Sequence, residues 1–255
     1  MIELRNVHKK FGLHVVLDGV NFSVAAGETV ALLGPSGSGK SVLLKHIIGL
    51  MRPDEGDVLV EGESVPGLSR KALAALRTRI GYAFQTGALF DSMTVYENIR
   101  LGISDENCYR DRDFCTARVA ECLGLVNLSE DVGRLMPEEL SGGMRKRVGI
   151  ARAIAGNPKY LLYDEPTSGL DPVNADAMDA LIEGLQKQLH ATSIVVSHDV
   201  RGSFKIADRI ALLHNGRIRA VGTAEEFMAA KDTVVREFLE RDIEFAAPAS
   251  GGGKR

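Results

Sequence analysis

Short runs of apolar residues alternate along the 255-residue chain with stretches in which apolar residues recur every three or four positions. The runs "ETVALL", "KYLLYD" and "TSIVVS" predict strands that are buried on both faces, as parallel strands are. The stretches that follow the first two runs predict helices over residues 40–49 and 173–190. Because strands alternate with helices, the pattern predicts an α/β fold with a mostly parallel sheet.

Other segments depart from this alternation. The N-terminal segments "MIELRNVHKKF" and "VNFSV" predict short strands separated by turns, and "GDVLVEGE" predicts a further strand. Residues 86–157 are predicted to be mainly helical, so they interrupt the strand–helix order as an insertion. "RIALLHNGRIRAVG" predicts a hairpin, because Asn-Gly suits a type I′ turn.

The composition is that of an ordinary globular protein, with 45% hydrophobic and 25% charged residues. A net charge of −3 gives no indication of a nucleic-acid-binding protein. Neither a signal peptide nor a bilayer-spanning apolar stretch is visible, so we expect a cytosolic or peripheral protein. Cys108, Cys115 and Cys122 lack a CxxC pair and a nearby histidine, which favours small buried side chains on a helix over a metal or redox site.

The segment "GPSGSGKS" fits the pattern GxxxxGK(S/T) and lies between a predicted buried strand and a predicted helix. Glycines here allow backbone N–H groups to turn toward a phosphate chain at the positive end of the helix. Lys40 can reach the β- and γ-phosphates, and Ser41 can bind Mg²⁺. The flanking strand and helix disfavour a simple glycine-rich turn. The residues predicted to bind the nucleotide at this loop are Gly34, Pro35, Ser36, Gly37, Ser38, Gly39, Lys40, Ser41 and Val42.

Polar side chains follow three of the predicted strands. One strand ends in Asp164, a candidate Mg²⁺ ligand, and Glu165, which is a candidate for activating an attacking water. Gln85 closes a predicted strand "IGYAFQ", and His198 closes "TSIVVSH". Taken singly, the acidic pair fits a capped turn and His198 fits a structural histidine. Because ligands bind at the carboxyl ends of strands in open parallel sheets, we expect the four residues to converge on the phosphates.

Two further segments are candidate ligand contacts. Phe11 could stack on a base, although a packed aromatic is the simpler interpretation of this residue alone, and Val16 is a second candidate. "LSGGM", residues 140–144, places two glycines at the start of a basic helix that we expect to begin near Met144. Glycine costs helix stability there unless the backbone approaches another group closely.

The order of these motifs resembles that of the nucleotide-binding subunits of ABC transporters. The resemblance covers nearly the whole chain and rests on Phe11, residues 34–41, Gln85, "LSGGM", Asp164–Glu165, "SGLD" and His198. It implies a P-loop NTPase (ABC ATPase) fold of the α/β class, with a mostly parallel core sheet, an N-terminal antiparallel β region and an inserted helical subdomain. It also implies ATP and Mg²⁺ as ligands.

The resemblance implies a division of the chain. The ATPase core would comprise residues 1–85 and 158–222, the helical subdomain residues 86–157, and the C-terminal helices with a flexible tail residues 223–255. The helical subdomain would receive the coupling helix of a membrane permease.

A head-to-tail homodimer is implied as well, in which ATP lies between the phosphate loop of one subunit and "LSGGM" of the other. The implied contacts to the other subunit's nucleotide are Ser141, Gly142 and Gly143, and Asp171 would link the two sites. The implied catalytic residues are Glu165, His198, Gln85 and Lys40. The implied metal ligands are Ser41, Gln85 and Asp164.

A narrower resemblance is to the ATPase subunit of Mla/Mce-type lipid transporters, and it rests on the phosphate-loop helix, "FQTGALFDSMTVYENI" and "LMPEELSGGM". It implies transport of phospholipids or other hydrophobic molecules from the cytoplasmic face of the inner membrane. The implied partners are an MlaE-type permease, an MCE-domain substrate carrier and often a small STAS-domain protein. Met144 departs from the glutamine usual in the wider family, which puts a role for this position in ATP binding in doubt.

Three other functions are compatible with parts of this pattern. An ABC ATPase subunit for another substrate, such as amino acids, would carry the same motifs. An ABC protein acting on ribosomes or DNA generally has two cassettes or a long coiled coil, and this sequence has neither. A P-loop kinase is disfavoured by Glu165, His198 and the "LSGGM" segment, which indicate water as the phosphate acceptor.

The C-terminal segment "VREFLERDIEF" has two interpretations. With Val234, Phe238 and Phe245 as apolar anchors, it would assist dimerisation or partner docking, or it would pack as a helix on its own domain. The composition of the final "AAPASGGGKR" predicts a disordered tail.

Overall fold

The computed structural model describes residues 1–103 and 111–246, with side chains described through residue 240. The strands of these ranges are β1 (Ile2–Phe11), β2 (His14–Val24), β3 (Thr29–Leu33), β4 (Glu55–Val60), β5 (Glu63–Ser64), β6 (Ile80–Ala83), β7 (Tyr160–Asp164), β8 (Thr192–Ser197), β9 (Arg209–His214) and β10 (Arg217–Gly222). The helices are α1 (Lys40–Ile47), α2 (Arg70–Arg77), α3 (Val95–Arg100), α4 (Arg112–Leu125), α5 (Gly142–Ile154), α6 (Pro172–Leu189), α7 (Val200–Ile206), α8 (Ala224–Met228) and α9 (Thr233–Ala246).

The strands form two sheets. The larger one has the order β10-β9-β3-β8-β7-β6, in which all strands are parallel except β10, which forms an antiparallel hairpin with β9. The smaller sheet, β2-β1-β4-β5, is antiparallel and contains the N-terminal strands. The predicted mostly parallel sheet and N-terminal antiparallel region are therefore confirmed.

The central strands β3, β7 and β8 are buried at every position because both faces of the larger sheet are covered. In β8, Ile194 and Val196 belong to a core that includes α1 and the smaller sheet. Val195 lies on the opposite face and belongs to a core that includes the insertion helices and α6. Successive side chains of a strand point to opposite faces, so a strand between two cores carries mainly apolar residues on both faces. Each fully buried side chain of this size contributes about 1.5–3 kcal/mol.

The helices α3, α4 and α5 follow β6 and precede β7, in agreement with the predicted helical insertion. Thr94, Asp111 and Ser141 cap the starts of α3, α4 and α5, because their side-chain oxygens accept backbone N–H groups. Cys115 and Cys122 are buried in α4, as predicted, and burial raises the pKa of the Cys122 thiol to about 11. Cys108 lies outside the described residues.

Two predicted boundaries were wrong. β6 ends at Ala83, its last residue paired with β7, so Gln85 lies in a turn beyond the strand instead of closing it. The helix of the "LSGGM" segment begins at Gly142 rather than near Met144, because Ser141 Oγ caps it by accepting the Met144 N–H at 3.2 Å. The predicted hairpin turn is confirmed, since Asn215 and the glycine after it have φ of 49° and 73°, as a type I′ turn requires.

The C-terminal helices pack on the same chain. Val235 and Leu239 of α9 are buried in a core with Phe227 of α8, and Val234 and Phe238 pack against that core. The C-terminal segment therefore packs as a helix on its own domain, which was one of the two interpretations of its sequence. The side chain of residue 245 and the final residues lie outside the described part. None of the described helices is both long and apolar enough to cross a membrane.

Candidate nucleotide-binding site

The loop between β3 and α1 tolerates few residue types at some of its positions. A Cβ on Gly34 would lie 2.2 Å from the backbone oxygen of Leu213, so this position requires glycine. Lys40, the first residue of α1, is only 4% exposed, and its Nζ donates to the carbonyls of Gly34 at 2.7 Å and Pro35 at 3.1 Å. Burial lowers the pKa of Lys40, and the negative charge of Glu165 opposes this shift. The loop therefore holds a nearly desolvated cation beneath its backbone.

Asp164 is fixed by two short hydrogen bonds. Ser41 Oγ donates to its Oδ1 at 2.8 Å, and Tyr82 Oη donates to its Oδ2 at 2.8 Å. Burial, followed by the charge of Asp164, raises the pKa of Tyr82 far above its ordinary value, so the phenol stays protonated and remains a donor. Three segments that are distant in sequence thus meet at one carboxylate.

Glu165 follows directly and contacts three other predicted site residues. Its Oε1 lies 3.6 Å from Lys40 Nζ, and its Oε2 accepts from Gln85 Nε2 at 3.2 Å. His198 Nδ1 lies 3.8 Å from the same Oε2. Lys40, Gln85, Glu165 and His198 are therefore brought together, although Gln85 reaches the cluster from a turn rather than from a strand end.

A cavity of about 310 Å³ lies beside the loop. Its lining is Phe11, Val16, Gly37, Gly39, Lys40, Ser41, Val42 and Glu165. Phe11 is 46% exposed, so it is not the packed aromatic that it resembled when taken alone. Pro35, Ser36 and Ser38 line a neighbouring cavity of about 390 Å³ together with the turn of the β9–β10 hairpin. The phosphate loop thus lies between two cavities, and the smaller one is lined by Phe11 as well as by Lys40 and Glu165.

The "LSGGM" residues lie apart from this cluster within one chain. Ser141 is exposed, and no hydrogen bond or ion pair joins it, Gly142 or Gly143 to the phosphate loop among the described residues. A Cβ on Gly143 would lie 3.8 Å from Leu170, in the "SGLD" segment. Asp171 caps α6, and hydrogen bonds from Asn174 at its side chain and backbone lower the pKa of Asp171.

Sequence reasoning missed three polar residues. Tyr82 holds Asp164, Ser168 Oγ accepts from Gln85 Nε2 at 3.2 Å, and Lys146 Nζ donates to the backbone oxygen of Glu165 at 3.3 Å. A tyrosine hydroxyl in a buried strand usually finds a hydrogen-bond partner, which is a signal that could have identified Tyr82. Lys146 carries no such signal, because it is one of several cations on a basic helix.

The donor set of the site fits a magnesium nucleotide. Ser41 and Asp164 offer the oxygen ligands that Mg²⁺ prefers, and Mg²⁺ commonly takes only one or two protein ligands beside substrate phosphates. No cluster of three or more acidic, histidine or cysteine ligands was found in the described part of the chain. Ser38 Oγ is buried without a hydrogen-bond partner among the described residues, so the loop retains a polar group for a phosphate oxygen.

Comparisons with known proteins agree with this geometry. A family model for the ABC transporter matches residues 17–168. The intermembrane phospholipid transport system ATP-binding protein MlaF of Haemophilus influenzae is 37% identical over 253 residues, which cover 98% of this chain and 95% of that protein. A protein named for ribonucleotide transport, mkl of Mycobacterium leprae, is 39% identical over 238 residues, which cover 93% of this chain and 68% of that protein. The chain thus spans about two thirds of the length of the mycobacterial relatives.

A solved structure extends the likeness to three dimensions. An ATP-binding cassette solved as a dimer in a post-hydrolysis state with ADP and Pi has a TM-score of 0.80 and 33% identity. The match covers 88% of this chain and 99% of that one. Because the family model covers more than half of the chain and relatives above 30% identity cover nearly all of it, the family is established. The chain belongs to the ABC transporter family, and it is an ATP-hydrolysing subunit of that family.

Proposed function

We propose that this ATPase powers a transporter of phospholipids or other hydrophobic molecules. The observation that carries the proposal is the similarity to MlaF, which extends over 98% of this chain and 95% of that protein. "GALF" after Gln85 and Met144 in "LSGGM" support the same reading. A substrate such as amino acids is the alternative, and the name of mkl points to ribonucleotides for that relative.

The nucleotide would lie along the phosphate loop, with its base against Phe11 and Val16. Lys40 would neutralise the β- and γ-phosphates, because its ammonium is a desolvated point charge at the loop. Ser41, Asp164 and the carbonyl end of Gln85 would hold Mg²⁺. When bound, Mg²⁺ supplies neutralisation of phosphate charge.

Glu165 would act as the general base of hydrolysis. Its carboxylate would accept a proton from the attacking water, and Gln85 and His198 would orient that water and the carboxylate between them. Lys40, at 3.6 Å from Oε1, would keep the carboxylate on the side of the phosphates. These roles rest on the contacts of Glu165 with Lys40, Gln85 and His198.

The active unit would be a head-to-tail homodimer. Ser141, Gly142 and Gly143 are not joined to the phosphate loop within the described chain, which is consistent with contacts to the nucleotide of the other subunit. Backbone N–H groups at the start of α5 suit an anionic γ-phosphate. Asp171 would connect the two sites. The dimeric state of the solved cassette similar to this chain supports the arrangement.

The proposed division of the chain follows from these roles. Residues 1–85 and 158–222 would form the ATPase core, residues 86–157 the helical subdomain that contacts the permease, and residues 223–255 the C-terminal helices and a flexible tail. The partners would be an MlaE-type permease, an MCE-domain carrier and a small STAS-domain protein. The chain would lie on the cytoplasmic face of the inner membrane and would not bind nucleic acid.

Affinity purification from the native host tests the substrate proposal. The full-length chain carries a tag, membranes are solubilised in detergent, and proteins and lipids of the eluate are identified by mass spectrometry. We expect a polytopic permease, with phospholipids enriched over an untagged control. A permease that copurifies with an amino-acid- or nucleotide-binding component, without lipid enrichment, would contradict the proposal.

A further inference from the structure

Glu165 has an unusual backbone conformation for the residue that carries the proposed base. Its φ is 49°, in the left-handed region that residues other than glycine, asparagine and aspartate rarely adopt. Such strain persists only where the surrounding structure holds it. The contacts of the two peptide groups flanking Glu165 therefore hold the backbone from which its carboxylate extends.

Three polar contacts hold this backbone. The Glu165 N–H donates to the Val196 carbonyl of β8 at 3.0 Å. The Glu165 carbonyl accepts from the Ser168 N–H at 3.2 Å and from Lys146 Nζ at 3.3 Å. The first two contacts come from the core strands and the loop after β7. The third comes from α5, the helix whose first turn carries the "LSGGM" glycines.

Lys146 is suited to a positioning role by its surroundings. Its ammonium is partly desolvated, and this burial lowers the pKa of Lys146 while the charge of Glu165 opposes the shift. A desolvated cation bonds more strongly to a carbonyl than a hydrated one does, because less competing water surrounds it. The same charge also attracts the carboxylate of Glu165, so the Lys146 side chain acts on both the backbone carbonyl and the carboxylate of that residue.

We propose that Lys146 is a positioning residue for Glu165, through which the "LSGGM" helix of each subunit holds the proposed base of the same subunit. Ser141 caps the helix that carries Lys146, five residues further along the chain. A shift of α5 that moves Ser141 therefore moves the ammonium that holds the Glu165 carbonyl. This inference rests on the proposed role of Glu165. The "LSGGM" helix would then act at two sites: its first turn would contact the nucleotide of the other subunit, and Lys146 would hold Glu165 of its own subunit.

The test compares steady-state ATP hydrolysis by the full-length chain and its variants. Lys146→Met removes the donor and the charge, Lys146→Arg retains both, and Lys187→Met is the matched control, since Lys187 pairs with Glu183 on the exposed side of α6. We expect Lys146→Met to lower kcat about tenfold with the KM for ATP changed less than about twofold. Lys146→Arg should recover most of kcat, and Lys187→Met should match the parent. Unchanged kcat in Lys146→Met, or a rise in KM alone, would overturn the proposal.

A second background separates positioning from a general structural effect. If Lys146 acts through Glu165, Lys146→Met should cause no further loss of hydrolysis in Glu165→Gln, whereas an equal additional loss would show that it acts elsewhere. Should Lys146→Met fail to fold, Lys146→Gln takes its place, with the same expectation of lowered kcat at constant KM. Wild-type turnover in Glu165→Gln alone would refute the proposed base. An inactive Glu165→Gln beside a fully active Lys146→Met would refute only the positioning role.

Discussion

We expect Asp179→Asn to stabilise the protein at neutral pH and to leave its stability near pH 4 almost unchanged. Asp179 lies on α6 and is only 6% exposed. It faces a second carboxylate, since a Cβ built on Gly202 would lie 2.2 Å from Asp179 Oδ2 and 2.8 Å from Asp199 Oδ2. Nearby Lys205 is bound to the exposed Asp176 at 2.7 Å and compensates only in part.

The magnitude follows from the titration of this carboxyl. Burial first, and then the charge of Asp199, raise the pKa of Asp179 from 3.8 to about 6, against smaller opposition from Lys205. The folded protein therefore binds a proton more tightly than the unfolded chain, and stability falls as pH rises from about 4 to about 6. At about 1.4 kcal/mol per pH unit, ionised Asp179 costs about 3 kcal/mol of unfolding free energy above this range. Asparagine has nearly the same shape and cannot ionise, so it removes that cost.

The assay is urea unfolding followed by circular dichroism at several pH values between about 4 and 8. We expect Asp179→Asn to gain about 1–3 kcal/mol near pH 8 and to converge with the parent as pH approaches 4. Asp91→Asn is the control, because Asp91 is exposed and is not among the charges that act on Asp179, so it should show no comparable gain. A gain that is equal at all pH values, or a loss at neutral pH, would refute the assignment of the cost to a buried charge.

Three further predictions concern the nucleotide site. Glu165→Gln should retain ATP binding and favour a closed dimer while slowing phosphate release at least about a hundredfold, and wild-type turnover would exclude Glu165 as the base. Lys40→Ala should lower ATP affinity or turnover about tenfold or more in equilibrium binding and phosphate-release assays, and the assignment of the phosphate loop fails if neither changes. Tyr82→Phe removes the donor to Asp164 Oδ2, so it should cost about 1–2 kcal/mol in urea unfolding with EDTA and raise the Mg²⁺ concentration needed for half-maximal hydrolysis. Unchanged values in both Tyr82→Phe measurements would show that this bond does not hold the carboxylate.

The features that the sequence predicts correctly are those that a local pattern encodes. Strands β3, β7 and β8 are buried at every position because they lie between two cores, and their mainly apolar runs are visible in a window of six residues. The phosphate loop is also local, since its glycines, Lys40 and Ser41 are consecutive. The hairpin turn at Asn215 is specified by a dipeptide.

The features that the sequence does not reveal depend on contacts between distant segments. The Ser41–Asp164 bond joins residues 123 positions apart, and the Tyr82–Asp164 bond joins residues 82 positions apart. Gln85 was misplaced because β6 is an edge strand, and its apolar pattern continues through Phe84 after pairing with β7 has ended at Ala83. Nothing in a basic helix distinguishes Lys146 from the cations beside it until Glu165, which follows β7, is placed next to α5.

The two adjacent carboxylates differ in how firmly they are held, and this difference suits their proposed roles. Asp164 accepts two hydrogen bonds of 2.8 Å, one on each oxygen, from residues of the core. Glu165 has contacts of 3.2–3.8 Å to Gln85, Lys40 and His198, which come from three different segments of the chain. Because charge-assisted bonds are strongest near 2.7–2.9 Å, no single partner fixes the Glu165 carboxylate. A small displacement of the turn after β6 or of α5 can therefore shift the proposed base without disturbing the adjacent carboxylate that is proposed to bind Mg²⁺.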